Sequence, residues 1–218
     1  MQLILNLIWT LLFWYFLYIL LRQFHPHKKN NAKITRNSIS AVHSIGSIFL
    51  CLYGFYIDHR FIDFLYYYST SYFVWDSIYI VVNKKRSEVL YLFHHGVAIY
   101  MLGTIYITIH ANLLTFFFLL GELSNIPYYI VYRKLKLLEC NNNNINSQQL
   151  SIQNIKYWQI GQILWFVCLR VVLGGYIGFF TSIYLKLPGV LVILLYCIYF
   201  LGIYWGFMQI KNIYRNYY

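Results

Sequence analysis

Long apolar stretches recur along this chain, and they constrain its fold more than any other feature. Seven of them lie near residues 3–21, 39–57, 64–82, 90–109, 112–132, 158–182 and 187–210. A helix that rises about 1.5 Å per residue needs about 20 apolar residues to cross about 30 Å of hydrocarbon. The lengths and spacing of these stretches therefore predict seven membrane-spanning segments.

The composition agrees with a membrane protein, because 60% of the residues are hydrophobic and only 11% are charged. A soluble domain would carry about 25% charged residues. Backbone groups in hydrocarbon must be satisfied within their own segment or in a closed barrel, and no alternating strand pattern is present. The sequence thus predicts an all-α membrane protein. The first stretch lacks a basic n-region and a cleavage site, which indicates an uncleaved anchor.

The lysines and arginines alternate between the connections and so predict the orientation. Of the 17, fourteen lie in the first, third and fifth connections and at the C-terminus: Arg22, Lys28, Lys29, Lys33, Arg36, Lys84, Lys85, Arg86, Arg133, Lys134, Lys136, Lys156, Lys211 and Arg215. We expect these connections in the cytosol and the N-terminus on the lumenal side. Anionic lipids of the cytosolic leaflet account for the net charge of +11, so no nucleic-acid partner is expected.

One connection is long and polar. Residues 133–157 contain a run of four asparagines and no periodic apolar pattern, which favours a flexible cytosolic loop. The four cysteines have neither metal-ligand nor disulfide spacing, so we expect no metal.

Four ionisable residues within the predicted spans share one depth. His43, Asp76, His94 and His95 each lie roughly 10 Å from the cytosolic boundary, at about 1.5 Å of rise per residue. Such side chains are costly in hydrocarbon unless they face the bundle interior and find a partner. A lone His43 is typical of a helix-to-helix hydrogen bond. Because His94 and His95 project about 100° apart, the pair with Asp76 favours acid and base chemistry over one structural contact.

Two further charges lie deeper. Glu122 is roughly 16 Å and Arg170 roughly 18 Å from the cytosolic boundary by the same rise. Opposite charges at similar depth predict a structural ion pair near the midplane.

Six short motifs occur in a fixed order across residues 36–210. They are RNSISAVHS at 36–44, YFVWDSIY at 72–79, LFHH at 92–95, GELSNIPYYIVYRKL at 121–135, WFVCLR at 165–170 and LGIYWGFMQI at 201–210. This arrangement resembles the TLC-domain family, which includes the ceramide synthases. The resemblance implies six helices that enclose a lipid-accessible cavity. The domain would then cover 36–210, after an N-terminal anchor and basic loop at 1–35 and before a short cytosolic tail at 211–218.

The resemblance also bears on the reaction. In ceramide synthases the histidine pair acts with aspartates in a pattern resembling LHDxSD, in acyl transfer from acyl-CoA to a sphingoid amine. Here LGELSN has Gly121 and Glu122 in place of His-Asp and Asn125 in place of the second Asp, while Ser124 is kept. The chain is more similar to the non-ceramide-synthase branches, whose roles concern membrane lipid composition and trafficking.

Two functions follow from the resemblance and stay open. One is an acyl-CoA-dependent lipid acyltransferase, in which Asp76 orients an imidazole and His94 or His95 acts as general base or nucleophile. The other is a non-catalytic lipid-binding, sensing or trafficking protein. The residues that the resemblance implies for substrate contact are His43, Glu122, Ser124, Arg170 and Trp205.

The partners expected in both cases are membrane lipids, with acyl-CoA as a co-substrate of the enzyme and no bound cofactor. The resemblance points to the endoplasmic reticulum. The abundance of Ile, Asn and Tyr is compatible with the AT-rich genome of a protist or of a large virus that infects one, and in the second case a host internal membrane is the alternative. A channel or transporter is disfavoured, because no pair of Gly/Pro-interrupted helices at corresponding positions marks a transport site.

Overall fold

The chain is helical almost throughout. The computed structural model describes residues 2–24, 31–83, 89–107, 111–140, 145–184 and 187–217, and no strand occurs in these ranges. The helices are α1 (Gln2–Phe24), α2 (Asn31–Tyr56), α3 (Phe61–Val82), α4 (Val89–Ile107), α5 (Ala111–Cys140), α6 (Ile145–Phe166), α7 (Gly174–Tyr184) and α8 (Gly189–Tyr217). A π-helical segment, Val167–Leu173, joins α6 to α7 without a break. The all-α prediction is confirmed.

Helices occupy all seven predicted apolar stretches, but they are not equally apolar. Among the described residues, five helical stretches are long and apolar enough to cross a membrane: Gln2–Phe24, Ala32–Tyr56, Asn112–Leu138, Asn154–Tyr184 and Gly189–Arg215. In α4 the apolar part, Val89–Ile105, is shorter, and α3 carries tyrosines, serines and aspartates among its apolar residues. The protein is therefore a multi-pass α-helical membrane protein, and the count of seven spans stays a prediction.

The predicted loop at 133–157 is wrong for most of its length. Helix α5 continues to Cys140 and α6 begins at Ile145. The segment KLKLLE at 134–139 consists of strong helix formers, and extending an existing helix avoids the cost of nucleation. The four asparagines, 141–144, lie outside the described residues.

The chain divides into two compact units. The first unit comprises Met1–Phe24 and Val42–Glu122, and the second comprises His25–Ala41 and Leu123–Tyr218. In the first unit α1 and α4 both pack against α3. In the second unit the π-helical segment packs against α6, α7 and α8.

Helix α1 is held to α3 by one deeply buried side chain. Trp14 is fully buried, and its indole N–H donates to the carbonyl oxygen of Tyr68 at 3.1 Å. Most of the other large apolar side chains of α1 are exposed, as expected for a helix that faces lipid.

The short turn between α2 and α3 carries an ion pair at the protein surface. The guanidinium of Arg60 donates to both carboxylate oxygens of Asp58, with 2.8 Å between Nη2 and Oδ2. These hydrogen bonds lower the pKa of Asp58 below its ordinary value. The pair closes the turn locally and adds little to stability, because water screens it.

A proline lies inside α5 in the second unit, and a neighbouring helix compensates for its missing N–H. Pro127 has no N–H, so it cannot donate to the carbonyl of Leu123 one turn earlier. The indole N–H of Trp165 on α6 donates to that carbonyl at 3.0 Å. In hydrocarbon an unsatisfied carbonyl is costly, so Trp165 explains how the proline is tolerated.

Gly46 on α2 faces the side chain of Tyr68 on α3 in the first unit. The Tyr68 hydroxyl donates to the carbonyl of Val42 at 2.9 Å, and a β-carbon on Gly46 would lie 2.7 Å from Cζ of Tyr68. We therefore expect Gly46→Ala to lower the free energy of unfolding by about 1–3 kcal/mol through overpacking. The measurement is thermal unfolding of the purified protein in detergent.

The matched control is Gly103→Ala on α4, because a β-carbon there would meet nothing within 4 Å. This variant is expected to stay within about 1 kcal/mol of the wild type. Equal unfolding temperatures for the two variants would show that the contact between Gly46 and Tyr68 does not limit packing.

Candidate functional site

Two consecutive residues of α3 meet one histidine of α4. Oδ2 of Asp76 lies 3.5 Å from Nε2 of His95, and Oγ of Ser77 lies 3.0 Å from Nδ1 of the same ring. Because neighbouring residues on a helix project about 100° apart, Asp76 and Ser77 approach the imidazole from two sides. We call these three residues the Asp76–His95–Ser77 cluster.

Members of this cluster differ in exposure. Asp76 is 2% and His95 is 4% exposed, whereas Ser77 is only partly buried. Ser77 is thus the least enclosed residue of the cluster.

The second histidine of the pair has a different environment. The His94 ring is partly buried, and it lies edge-on to Phe73 with 6.3 Å between ring centroids. The centroids of His94 and His95 are 5.9 Å apart. The pair thus projects in two directions, as the helical geometry predicts, and the carboxylate of Asp76 lies beside the ring of His95.

A second polar group surrounds His43 on α2. Nδ1 of His43 lies 3.7 Å from Oε2 of Glu122, which also accepts a hydrogen bond from the hydroxyl of Ser44. Nε2 of His43 lies 3.2 Å from Oγ of Ser47, which is 3.1 Å from Oγ of Ser69 on α3. His43 therefore connects α2 to α3 and to the first part of α5.

Aromatic rings enclose this group. The His43 ring stacks on Tyr72 with 3.8 Å between centroids, and Trp14 and Tyr68 contact it from α1 and α3. His43 is 1% exposed and Glu122 is 7% exposed. Both side chains therefore lie in the interior of the first unit.

Phe73 connects the two polar groups. Its ring centroid is 5.2 Å from that of His43 and 5.2 Å from that of His95. The structure thus brings together His43, Asp76, His94 and His95, the four residues that the sequence places at one depth. Their distance from a membrane surface stays a prediction.

Arg170 lies in the π-helical segment of the second unit. Its Nη1 donates to Oδ1 of Asn125 at 3.2 Å, and its guanidinium lies 5.5 Å from the ring of Phe166 and 5.7 Å from that of Trp205. Gly202 leaves room for it, since a β-carbon there would lie 3.4 Å from Cγ of Arg170. Aromatic faces stabilise a cation that has been removed from water.

Three of the predicted site residues, Ser124, Glu122 and Arg170, are divided between the two units. Ser124 is fully buried in the second unit. Glu122 belongs to the first unit and Arg170 to the second, and the predicted ion pair between them stays a prediction.

Ser44 and Ser77 are site residues that the sequence analysis did not predict. Ser44 follows His43 directly and Ser77 follows Asp76 directly, so a search for hydroxyls at the depth of the ionisable residues would have found both. Among the residues that the structure describes, no group of three or more His, Cys, Asp or Glu side chains is placed to hold a metal ion.

These observations define a multi-pass helical membrane protein with buried histidine and carboxylate pairs between its helices. The family model of the TLC domain matches residues 2–211, and the chain belongs to this family. The matched range includes α1, whereas the sequence reasoning began the domain at residue 36. No curated protein and no solved structure matched the chain significantly.

Proposed function

We propose that this TLC-domain protein transfers an acyl group from acyl-CoA to a hydroxyl or amine of a membrane lipid. The observation that supports this function is the Asp76–His95–Ser77 cluster, in which a carboxylate and a hydroxyl flank one imidazole. Acyl transfer needs a group that accepts a proton from the attacking atom and returns it to the leaving atom. An imidazole does both near neutral pH.

In this proposal Asp76 has an orienting and stabilising role. Its carboxylate beside Nε2 favours the imidazole tautomer that carries its proton on Nε2. The same carboxylate stabilises the imidazolium that forms during transfer. The other ring nitrogen, Nδ1, is then free of its proton and can accept one from the side of Ser77.

We propose that the thioester approaches from the cytosol, because the basic connections predict that side and acyl-CoA is water-soluble at its head. Lys84, Lys85 and Arg86 are expected to meet the CoA phosphates, although they lie outside the described residues. The proposed location is the endoplasmic reticulum, in keeping with the resemblance on which the function rests.

The other predicted substrate residues fall into two groups. We propose that Arg170 and Trp205, which are only partly buried, contact the polar part of a membrane lipid. The full burial of Ser124 supports a role in helix packing. The enclosure of His43 and Glu122 by protein supports a different role, in which they hold α2, α3 and α5 together.

A lipid-binding protein without turnover is the second candidate. One observation favours it: Glu122, which replaces the aspartate of the ceramide synthase pattern, is paired inside the first unit with His43 and Ser44. A carboxylate used in this way holds helices together and takes no part in chemistry.

Lipid profiling of cells tests the proposed function. Expression of the wild type is expected to change the acyl composition of at least one lipid class, and Asp76→Asn is expected to return it to the level of the empty vector. The matched control is Asp63→Asn, because Asp63 lies on the same helix and is exposed. An identical change with the wild type and with Asp76→Asn, at equal protein levels, contradicts an enzymatic role of the cluster.

A further inference from the structure

Both ring nitrogens of His95 are engaged by residues of α3. Nδ1 is at hydrogen-bond distance from Ser77, and Nε2 faces Asp76. His95 itself is 4% exposed, so it is enclosed by protein. The hydroxyl of Ser77 is therefore well placed to give its proton to Nδ1.

We propose that Ser77 is the nucleophile of this site and carries the acyl group as an ester between the two halves of the reaction. This inference rests on the proposed acyl transfer and names the residue that performs it. A serine hydroxyl is a weak nucleophile until a neighbouring base accepts its proton. The order carboxylate, imidazole, hydroxyl is the arrangement that supplies such a base, whatever the fold.

Exposure supports this assignment. Ser77 is the one member of the cluster that is only partly buried, whereas Asp76 and His95 are enclosed, and we therefore place the thioester beside Ser77. Other serines of α3 differ in their contacts. The hydroxyl of Ser71 donates to the backbone carbonyl of Tyr67 at 2.6 Å, and that of Ser69 is 3.1 Å from Ser47.

In the first half of the reaction, Oγ of Ser77 forms a bond to the carbonyl carbon of the thioester as its proton passes to Nδ1 of His95. The carbon–sulfur bond then breaks, and the sulfur leaves with the electron pair and takes the proton from His95. The products of this half are the ester on Ser77 and free CoA thiol. Asp76 stabilises the imidazolium while it carries the proton.

In the second half, the hydroxyl or amine of the lipid gives its proton to His95 as its oxygen or nitrogen bonds to the acyl carbon. The ester bond to Ser77 breaks, and the proton returns from His95 to Oγ of Ser77. No electron is gained or lost overall, and the acceptor is bound only after the thiol has formed.

Mass spectrometry of the protein tests this role. The full chain is reconstituted in phospholipid vesicles and mixed with long-chain saturated and unsaturated acyl-CoAs, and the peptide that contains Ser77 is analysed after rapid acid quenching. The wild type is expected to carry an acyl group on Ser77. Ser77→Ala is expected to carry none and to lose at least about 100-fold in the rate of lipid acylation.

Two further variants separate chemistry from folding. Ser77→Cys is expected to accumulate a thioester that neutral hydroxylamine cleaves, which a merely structural hydroxyl would not produce. Ser71→Ala, on the same helix, is expected to keep the rate and the ester of the wild type. Unfolding temperatures of all variants are compared in the same vesicles.

The results of these experiments distinguish a failure of the role of Ser77 from a failure of the proposed acyl transfer. If the wild type acylates lipid and Ser77→Ala does so at a similar rate, or if the acyl group is found on His94 or His95, the role of Ser77 is wrong and the proposed function stands. If the wild type releases no thiol from any acyl-CoA in the mixture, both are wrong.

Discussion

Replacing His95 with alanine is expected to lower the rate of lipid acylation by about 10²–10⁴-fold, which is the usual contribution of a general base. The imidazole lies 3.0 Å from the Ser77 hydroxyl and 3.5 Å from the carboxylate of Asp76, so it is the base at hydrogen-bond distance from that hydroxyl. The measurement is the initial rate at which labelled acyl groups enter lipid in reconstituted vesicles.

A buried histidine also contributes to packing, so the loss must be separated from unfolding. His95→Asn keeps a polar side chain at the position and is expected to lose as much activity as His95→Ala. The control is His59→Ala, because His59 lies exposed in the turn between α2 and α3. Full activity in His95→Asn would exclude the imidazole from the reaction.

The second large effect concerns stability. His43→Ala is expected to lower the free energy of unfolding by about 3–5 kcal/mol, the range seen when a large buried ring is removed. The substitution deletes the stacking on Tyr72 and leaves Glu122 without the imidazole beside it. Packing contacts of this kind, rather than transfer from water, hold helices together in a membrane.

Thermal and denaturant unfolding of the protein in one detergent measure this change. His59→Ala again provides the comparison, because an exposed histidine is expected to contribute less than about 0.5 kcal/mol. A loss of less than about 1 kcal/mol in His43→Ala would mean that the first unit can rearrange around the missing ring. That result would contradict the proposal that His43 and Glu122 hold α2, α3 and α5 together.

Seven apolar stretches predicted the positions of the helices because hydrocarbon leaves the backbone few alternatives. At 133–157 the polar residues predicted a loop, and the structure has helix at 133–140 and 145–157. Lys and Glu are polar but are strong helix formers. Because they extend the existing helix α5, no new helix has to be nucleated. Polarity predicts exposure, and it does not predict the end of a helix.

Depth along a helix was enough to group the ionisable residues, and it was too coarse to assign their partners. A rise of about 1.5 Å per residue placed Asp76 and His95 at one level, and the structure has them 3.5 Å apart. By the same count Glu122 lay roughly 6 Å deeper than His43, yet the two are 3.7 Å from each other. Such contacts depend on the tilts of the helices and on the conformations of long side chains. Neither can be predicted from one sequence.

Ser77 was not predicted from the sequence, because a serine is uncharged and common in helices that cross membranes. Its hydroxyl often bonds to a carbonyl of its own helix, as that of Ser71 does, and such a residue has no further role. Ser77 differs only in what stands opposite it on α4, which is His95. Ser77 meets His95 because α3 packs against α4, and no pattern in the sequence around Ser77 predicts this contact.

Counting thiols tests the central claim most directly, since acyl transfer by this protein must release one CoA for every acyl bond formed. The wild-type protein, purified and reconstituted with mixed membrane lipids, is given acyl-CoA, and free thiol and newly acylated lipid are quantified together over time. We expect many thiols per protein chain, matched by an equal number of new acyl bonds, and neither above background in His95→Asn. Thiol release by the wild type no faster than in empty vesicles, with lipid bound but unchanged, would contradict the proposed acyl transfer and favour a lipid-binding protein.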